Sequence, residues 1–395
     1  MRWSSLGPLV SSCICLVLSL TLAGCGGGSS SGGGGSTPPP PQTSEFLFSD
    51  SFGSVVSYSV NTSTGALSEM STVPGNHGSG FGIAANSAGT FLYSDDDLAD
   101  GIDAFSISSS GSLTAISGSP FSMPSGWTPF EVDSLAVDPA GKFLYAPDGP
   151  SNTVVGFTID GATGALGSIP GSPFATGPGP AQVVVDPSDR FVYVSDCDTL
   201  DQQGGISAFA IDSSTGALTP IQGSPFNTDT DGPDGLVVSP SGKFLFAAVP
   251  FYGAIAAFTI DSSSGALTQV TGSPFAVDPN IYPIVYSIAL TPSGNFLYAL
   301  GSLDGKVYAF AVDSSTGALT PAAGSPFEIG LELYLSNLRV DPSGKFLYIA
   351  GTGTNELLGF NIDTATGALT PISVSPFFFP SVSVTVIQVQ SQRGK

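Results

Sequence analysis

The amino-acid sequence predicts an all-β protein, a seven-bladed β-propeller of four-stranded antiparallel blades. Three observations predict this fold class. Gly (51 residues) and Pro (32 residues) are too abundant among 395 residues for a helical protein, because each one inside a helix costs about 1–3 kcal/mol. Hydrophobic residues make up 41% of the chain, enough to bury a large core. Two short motifs recur at a spacing of roughly 50 residues, which is typical of propeller blades.

The first motif is Gly-Ala-Leu or Gly-Ser-Leu. Its seven copies begin at Gly65, Gly111, Gly164, Gly216, Gly265, Gly317 and Gly367. The second motif is an aromatic triplet, and its seven copies begin at Phe46, Phe91, Phe143, Phe191, Phe244, Phe296 and Phe346. Each triplet has Leu or Val in the middle and Tyr or Phe at the end. Equal numbers of both motifs predict seven copies of one structural unit.

One unit can be followed from residue 181 to residue 222. The apolar run 181–185 predicts a strand buried on both faces. A turn at 186–189 leads to a second strand over 190–195, and a third strand is predicted over 205–211. The turn 212–216, which contains Asp and Gly, leads to an outer strand over 217–222. Four strands in a unit of this length predict one propeller blade.

The two ends of the repeat region predict how the ring closes. The repeats begin at Glu45 with the second strand of a unit, so this unit lacks its inner strand. The segment 382–389 alternates Val and Ile with polar residues, and neither motif follows it. We therefore expect the C-terminal segment to complete the first blade as a fourth, inner strand, which leaves no free sheet edge.

The N-terminus predicts export and a lipid anchor. An apolar run from Leu9 to Leu22 leads to Ala23, Gly24 and Cys25, which resembles a bacterial lipoprotein signal. An ordinary signal peptide is the alternative. The predicted organisation is a signal peptide (1–24), lipidated Cys25 with a Gly/Ser/Pro-rich tether (25–44), the propeller (45–391) and a tail (392–395). Gly rather than Asp follows Cys25, which favours the outer membrane over the inner membrane.

The repeat resembles a known family. The turn and triplet Asp341-Pro342-Ser343-Gly344-Lys345-Phe346-Leu347-Tyr348, followed by Gly367-Ala368-Leu369-Thr370-Pro371, is similar to lactonase-type seven-bladed propellers. That family includes bacterial 6-phosphogluconolactonases and fungal muconate-cycloisomerase-type enzymes. The resemblance covers residues 45–391. It implies that Arg, His and carboxylate side chains at one rim hold an anionic sugar acid, but the motifs themselves lie in turns and strands that build blades.

Composition excludes several classes of function. A net charge of −22 argues against nucleic acid as a partner, because that affinity depends on cations paired with phosphates. His77 is the only histidine, so a His-rich metal site is excluded. Lys142, Arg190, Lys243 and Lys345 follow the short turns, whereas the variable loops of the opposite rim carry clustered aspartates. The loop rim is therefore predicted to be strongly negative.

Three residues are candidates for catalysis. Arg339 falls in the inner-strand row otherwise occupied by Ala84, Ala136, Val184, Val237 and Ala289, where a cation is costly unless it is paired. It either reaches the channel to bind a carboxylate or pairs with an acid such as Glu332, unless the inferred register is wrong. His77 and Glu131 lie in rim loops, where acid–base chemistry competes with a simple solvated role.

Other features suggest ligands less specifically. Asp229 and Asp231 resemble half of a calcium loop, but Val238 stands where such a loop requires a bidentate acid. Calcium is therefore weakly supported, and no other cofactor is predicted. Aromatic residues cluster in rim loops, at Trp127, Phe130, Phe251, Tyr252, Tyr282 and Tyr334, where they suit sugar or protein contacts. The phenylalanines of the Gly-Ser-Pro-Phe segments are expected to fill the gaps between blades.

Three functions remain open. The first is a monomeric, lipid-anchored surface module that binds a protein, a glycan or a small sugar-derived ligand on the loop rim. The second is a lactone hydrolase of the 6-phosphogluconolactonase type, with neutral sugar lactones favoured because the rim is acidic. The third is a purely structural surface protein.

Overall fold

The structure is a computed structural model that describes residues 43–51, 54–74, 82–96, 101–123, 134–197, 204–228, 232–329, 335–351, 356–378 and 383–390. These residues form seven antiparallel sheets. Each hydrophobic core cluster combines residues of two consecutive sheets, and one cluster joins the last sheet to the first. The predicted seven-bladed propeller is therefore confirmed. No helix within the described ranges is long and apolar enough to cross a membrane.

The first four blades account for β1–β18 and the C-terminal strand. Blade 1 contains β1 (Thr43–Ser51), β2 (Ser54–Val60), β3 (Leu67–Pro74) and β34 (Ser383–Gln390). Blade 2 contains β4 (Ile83–Ala85), β5 (Phe91–Asp96), β6 (Gly101–Ile107), β7 (Leu113–Ala115) and β8 (Phe121–Ser122). Blade 3 contains β9 (Ala136–Val137), β10 (Phe143–Asp148), β11 (Thr153–Ile159), β12 (Leu166–Ser168) and β13 (Phe174–Ala175). Blade 4 contains β14 (Pro180–Val185), β15 (Phe191–Asp196), β16 (Gly205–Ile211), β17 (Leu218–Pro220) and β18 (Phe226–Asn227).

The remaining three blades repeat this order. Blade 5 contains β19 (Leu236–Val238), β20 (Phe244–Val249), a 3₁₀ helix (Pro250–Tyr252), β21 (Ala254–Ile260), β22 (Leu267–Gln269) and β23 (Phe275–Ala276). Blade 6 contains β24 (Val285–Leu290), β25 (Phe296–Gly301), β26 (Lys306–Val312), β27 (Leu319–Pro321) and β28 (Phe327–Glu328). Blade 7 contains β29 (Leu335–Val340), β30 (Phe346–Gly351), β31 (Glu356–Ile362), β32 (Leu369–Pro371) and β33 (Phe377–Phe378).

The outer strand of blades 2–7 is divided into two pieces, which the sequence did not predict. In blade 2, β6 pairs with β7 through Ile107 and Leu113, and with β8 through Ile102 and Phe121. A Ser-Pro turn, preceded by Gly in blades 2–6 and by Val374 in blade 7, separates the two pieces, because proline has no N–H to continue the ladder. The serine of this turn accepts a hydrogen bond from the third strand in all six blades, as in Ala104 N to Ser119 Oγ at 2.9 Å.

The C-terminal strand closes the ring as predicted. β34 pairs antiparallel with β1, with Leu47 opposite Val386, and β2 and β3 complete blade 1. Val384 of β34 is fully buried in the cluster that joins blade 7 to blade 1. The first blade therefore combines three N-terminal strands with one C-terminal strand.

The two repeated motifs lock each blade to the next. Gly65 has φ +70°, and a Cβ atom there would lie 2.5 Å from Phe346 Cδ1 of the preceding blade. The Tyr348 hydroxyl donates to the Gly65 carbonyl at 2.8 Å. The same glycine–phenylalanine contact joins Gly111 to Phe46, Gly164 to Phe91, Gly216 to Phe143, Gly265 to Phe191, Gly317 to Phe244 and Gly367 to Phe296. The motifs that predict the fold thus act in blade packing.

Candidate functional site

The inner strands surround a central channel that contains a cavity of about 410 Å³. The cavity extends from Ser134 and Gln182, near the loop-rim ends of their strands, to Pro187 in a short turn. Most of its wall is small and apolar. Apart from these three residues, the lining comprises Ile83, Ala84, Ala85, Leu135, Ala136, Val137, Val183, Val184, Val185, Leu236, Val237, Val238, Ile288, Ala289, Leu290, Arg339, Val340 and Thr385.

Arg339 occupies the inner-strand row that the sequence predicts. It pairs with Tyr348, the last residue of its aromatic triplet. The five predicted counterparts also face the last residue of their own triplets, in the pairs Ala84–Tyr93, Ala136–Tyr145, Val184–Tyr193, Val237–Phe246 and Ala289–Tyr298. Thr385, opposite Phe48, completes the row. The predicted register is therefore correct, and all seven row residues line the cavity.

The Arg339 guanidinium is held by its own strand. Nη1 donates to the Leu338 carbonyl at 2.9 Å. The Asn337 amide, with its oxygen turned toward the guanidinium, accepts from Nη1 and Nη2 at 3.3 Å. Burial lowers the pKa of Arg339 to about 10, so the side chain stays cationic at neutral pH. Glu332, the predicted ion-pair partner, lies outside the described residues.

Polar side chains two residues before the row position link neighbouring inner strands. Ser134 Oγ accepts from Val183 N of the next blade at 2.9 Å, and Ser287 Oγ accepts from Leu338 N at 3.2 Å. Gln182 Oε1 accepts from Leu236 N in the same way. Sequence reasoning missed these residues because the amino acid at this position differs from blade to blade. The hydrogen bond from Leu338 N to Ser287 Oγ also positions Leu338, whose carbonyl accepts from the Arg339 guanidinium.

Comparison with known protein families decides which family this propeller belongs to. A family model described as "Lactonase, 7-bladed beta-propeller" matches residues 46–174, 167–282 and 287–378. The chain belongs to this lactonase family. A comparison with curated protein sequences finds no match.

Solved structures share the fold of this lactonase-family propeller. A candidate 6-phosphogluconolactonase from Bacteroides fragilis superimposes with a TM-score of 0.72 and 22% identity, covering 89% of this chain and 100% of its own. A similarly named Bacteroides uniformis protein gives 0.75 and 19%, covering 88% and 100%. A periplasmic gluconolactonase from Pseudomonas aeruginosa gives 0.68 and 16%, covering 89% and 100%. At these identities the comparison establishes the fold alone.

The other predicted site residues of the lactonase-family propeller lie outside the described residues. They are His77, Glu131, the calcium candidates Asp229 and Asp231, and the predicted lipidation site Cys25. Within the described ranges, no group of three or more His, Cys, Asp or Glu side chains is placed to hold a metal ion. Of the predicted catalytic, metal-binding and lipidation residues, Arg339 alone lies within the described residues.

Buried aspartates end the second strand in blades 2–4 of the lactonase-family propeller. They are Asp96, Asp148 and Asp196, whereas this strand ends with Ser51 in blade 1 and with Val249, Gly301 and Gly351 in blades 5–7. Burial raises the pKa of Asp196 to about 7, despite a 2.8 Å hydrogen bond from the Ser207 hydroxyl. The loop-rim end of blade 4 therefore carries a carboxyl group that titrates near neutral pH.

The channel of the lactonase-family propeller has the chemistry of an anion-binding site. Arg339 supplies a positive charge, Thr385 a hydroxyl and Gln182 an amide, against an apolar wall. The described lining contains no carboxylate and no imidazole. These groups can hold and polarise a carboxylate or carbonyl oxygen. A general base for hydrolysis would have to come from outside the described lining.

Proposed function

We propose that this protein is an envelope-anchored binding module that holds the carboxylate of a small ligand in its central channel. The observation that carries the proposal is Arg339, a guanidinium in a row otherwise made of alanine, valine and threonine. Its lowered pKa records the cost of placing this charge in the channel. A ligand carboxylate, bound through two parallel hydrogen bonds, would offset that cost.

The anchoring part of the proposal depends on the N-terminal sequence. The segment from Leu22 to Cys25 resembles a lipoprotein signal, and a Gly/Ser/Pro-rich tether of the kind that links an anchor to a domain follows it. Export would place the propeller in the cell envelope, where its lipid would anchor it to the outer membrane rather than the inner one. There it would meet sugar acids and polymer fragments.

Lactone hydrolysis is the second candidate function. Family membership favours it, and one structural neighbour is named as a periplasmic gluconolactonase. In this reaction Arg339 would stabilise the developing oxyanion of the lactone carbonyl. Glu131 or His77 is the proposed base that activates water. The net charge of −22 favours neutral lactones over phosphorylated ones.

Ligand-induced stabilisation tests the binding proposal. The melting temperature of the full-length protein should rise when gluconate is added and stay constant with glucose. Arg339→Met should abolish the rise, because it removes the guanidinium and keeps a long side chain. Thr385→Val, in the same row, is the matched control and should keep most of it. If Thr385→Val responds like Arg339→Met, the charge is not the anchor.

The stability of Arg339→Met without ligand separates binding from a structural role. If Arg339 is kept for a ligand, an apolar replacement in this row should leave the melting temperature equal or higher. If Arg339 forms a structural ion pair with Glu332, the same variant leaves a charge unpaired and should melt at a lower temperature. A clear decrease would therefore contradict the proposal.

Acid release from lactones tests the second candidate. The full-length protein would be incubated with glucono-δ-lactone and with 6-phosphogluconolactone, and the acid produced would be titrated. Saturable turnover of the neutral lactone that Arg339→Met abolishes would establish the hydrolase. Rates equal to those without protein would exclude it for these substrates.

A further inference from the structure

Large exposed apolar side chains are concentrated on one part of the loop rim. Among the described residues, eight such side chains are more than a third exposed, and six of them belong to blades 5 and 6. We call these six the aromatic ridge. Its members are Phe251 (52%), Tyr252 (48%), Ile281 (51%), Tyr282 (62%), Tyr286 (37%) and Leu303 (52%). Patches of this kind mark interaction sites on soluble proteins.

Backbone contacts hold the three segments of the ridge together. Val277 N donates to the Gly253 carbonyl at 2.7 Å, which joins the segment of Ile281 and Tyr282 to the 3₁₀ helix of blade 5. Ser302 N donates to the Ile284 carbonyl at 2.9 Å, which joins it to the loop of Leu303. A Cβ atom on Gly253 would lie 2.7 Å from the Tyr282 Cα atom. The ridge is therefore one preorganised surface.

Tyr282 is held in an unfavourable backbone conformation. Its φ is +47°, in the left-handed region that bulky residues rarely adopt. It is also the most exposed large apolar side chain among the described residues, so packing of the ring does not offset the free-energy cost of this conformation. Backbone strain without compensating local packing is characteristic of functional positions.

The margin of the ridge offers hydrogen-bond acceptors rather than cations. Asp278 Oδ1 accepts from both nitrogens of Asn280, at 2.8 and 3.1 Å. Burial raises the pKa of Tyr286, and the negative charge of Asp234 raises it further. Lys306, the cation that borders the Leu303 loop, forms an ion pair with Glu328 at 3.3 Å. Such a margin suits a ligand with many hydroxyl donors and repels an anionic polymer.

We propose that the aromatic ridge binds a neutral glycan chain. The apolar faces of sugar rings would pack on the aromatic rings, and sugar hydroxyls would donate to the carboxylates at the margin. Six half-exposed side chains offer roughly 600 Å² of contact, less than the roughly 800 Å² that each partner gives to a stable protein interface. The ridge and the channel cavity share no residue, so this proposal does not depend on the channel ligand.

Binding to immobilised neutral glycans tests the proposal. The full-length protein would be applied to an array of glucans, mannans, galactans and xylans, and the best glycan would be titrated in solution. Tyr282→Gly should weaken binding at least tenfold, and it suits the left-handed backbone, so the fold is kept. Phe251→Ala should also weaken binding. Val374→Ala is the matched control, because Val374 is 56% exposed but lies on blade 7.

Each other outcome overturns the proposal. Absence of binding to every neutral glycan excludes a glycan ligand. Glycan binding that survives Tyr282→Gly and Phe251→Ala places the glycan elsewhere. If sedimentation shows a dimer that these two variants dissociate and Val374→Ala does not, the ridge is an interface between two copies of the chain. Arg339→Met should leave glycan binding unchanged, which separates this proposal from that for the channel.

Discussion

The two faces of the propeller use buried aspartates in different ways. In blade 4, Asp186 lies in the short turn, where its Oδ1 accepts from Arg190 N at 2.8 Å and Phe191 N at 2.7 Å. Asp138 and Asp341 do the same in blades 3 and 7. Asp196, at the other end of β15, is fully buried and accepts a 2.8 Å hydrogen bond from the Ser207 hydroxyl. Burial raises its pKa to about 7, and it also raises the pKa of Asp138.

The two faces therefore differ in role: the turn face stabilises the fold, and the opposite face carries specialised chemistry. The turn face repeats one solution, in which each side chain satisfies nearby backbone groups. The channel and the loop rim contain features without counterparts in the other blades, such as Arg339 and Tyr282. Substitutions on the repeated side should therefore cost stability, and those on the other side should change binding or pH dependence.

Removing the closing strand should have the largest effect. Deletion of 383–395 removes β34, including the buried side chains of Val384, Ile387 and Val389. Burial of each contributes about 1.5–3 kcal/mol, and together with the lost ladder this approaches the whole stability of a domain. We expect no cooperative unfolding transition by circular dichroism. Deletion of 391–395 alone should leave the transition intact, and a cooperative transition without β34 would contradict strand closure.

The glycine of the blade lock should be the next most sensitive position. In Gly65→Ala the new Cβ atom would lie 2.5 Å from both Phe346 Cδ1 and Ile372 Cδ1, at a φ of +70°. Backbone strain and overpacking together should cost about 2–5 kcal/mol in urea unfolding. Gly161→Ala is the control, because a Cβ atom there meets nothing within 4 Å. Equal stability of the two variants would argue against the lock.

Asp196→Asn should remove a pH dependence of stability. The pKa of Asp196 rises from 3.8 to about 7 in the folded protein, so the unfolded chain releases its proton first as the pH increases. The stability linked to this proton is present below pH 3.8 and is lost as the pH approaches 7. Between pH 3.8 and about 7, the free energy of unfolding of the wild type should fall by up to about 4 kcal/mol relative to that of Asp196→Asn.

Urea unfolding at pH 4, 5, 6 and 7.5 measures this difference. Asp212→Asn is the control from the turn face, because hydrogen bonds from Ser214 and Thr215 lower the pKa of Asp212 to about 2. The stability linked to Asp212 is lost only as the pH falls from 3.8 toward 2, so this control should run parallel to the wild type above pH 4. A constant difference between wild type and Asp196→Asn would show that Asp196 does not titrate in this range.

Removal of the Tyr348 hydroxyl, which joins blade 7 to blade 1, should have the smallest effect on stability. Tyr348→Phe leaves the Gly65 carbonyl without the 2.8 Å hydrogen bond from the Tyr348 hydroxyl. A loss of about 1–3 kcal/mol is expected in urea unfolding. Phe246 occupies the equivalent position in blade 5 and is fully buried, so the ring alone packs well there. Tyr252→Phe, at an exposed tyrosine, should cost nothing.

The fold could be predicted from the sequence because its signals recur. Seven Gly-Ala-Leu-type motifs and seven aromatic triplets set the number of blades, and the unpaired segment after the last motif identified the closing strand. The same periodicity gave the row of Arg339, since each row residue lies at a constant distance from the following triplet. A physical constraint that repeats in every blade is visible even in one sequence.

Only the tertiary structure decided the features that occur once or that join distant segments. A proline turn divides the outer strand, and both pieces of that strand pair with the same third strand. The hydrogen bond from Leu338 N to Ser287 Oγ and the contiguity of the aromatic ridge join residues of different blades or loops. Such contacts have no period along the chain, because they depend on loops of different length meeting above a regular ring.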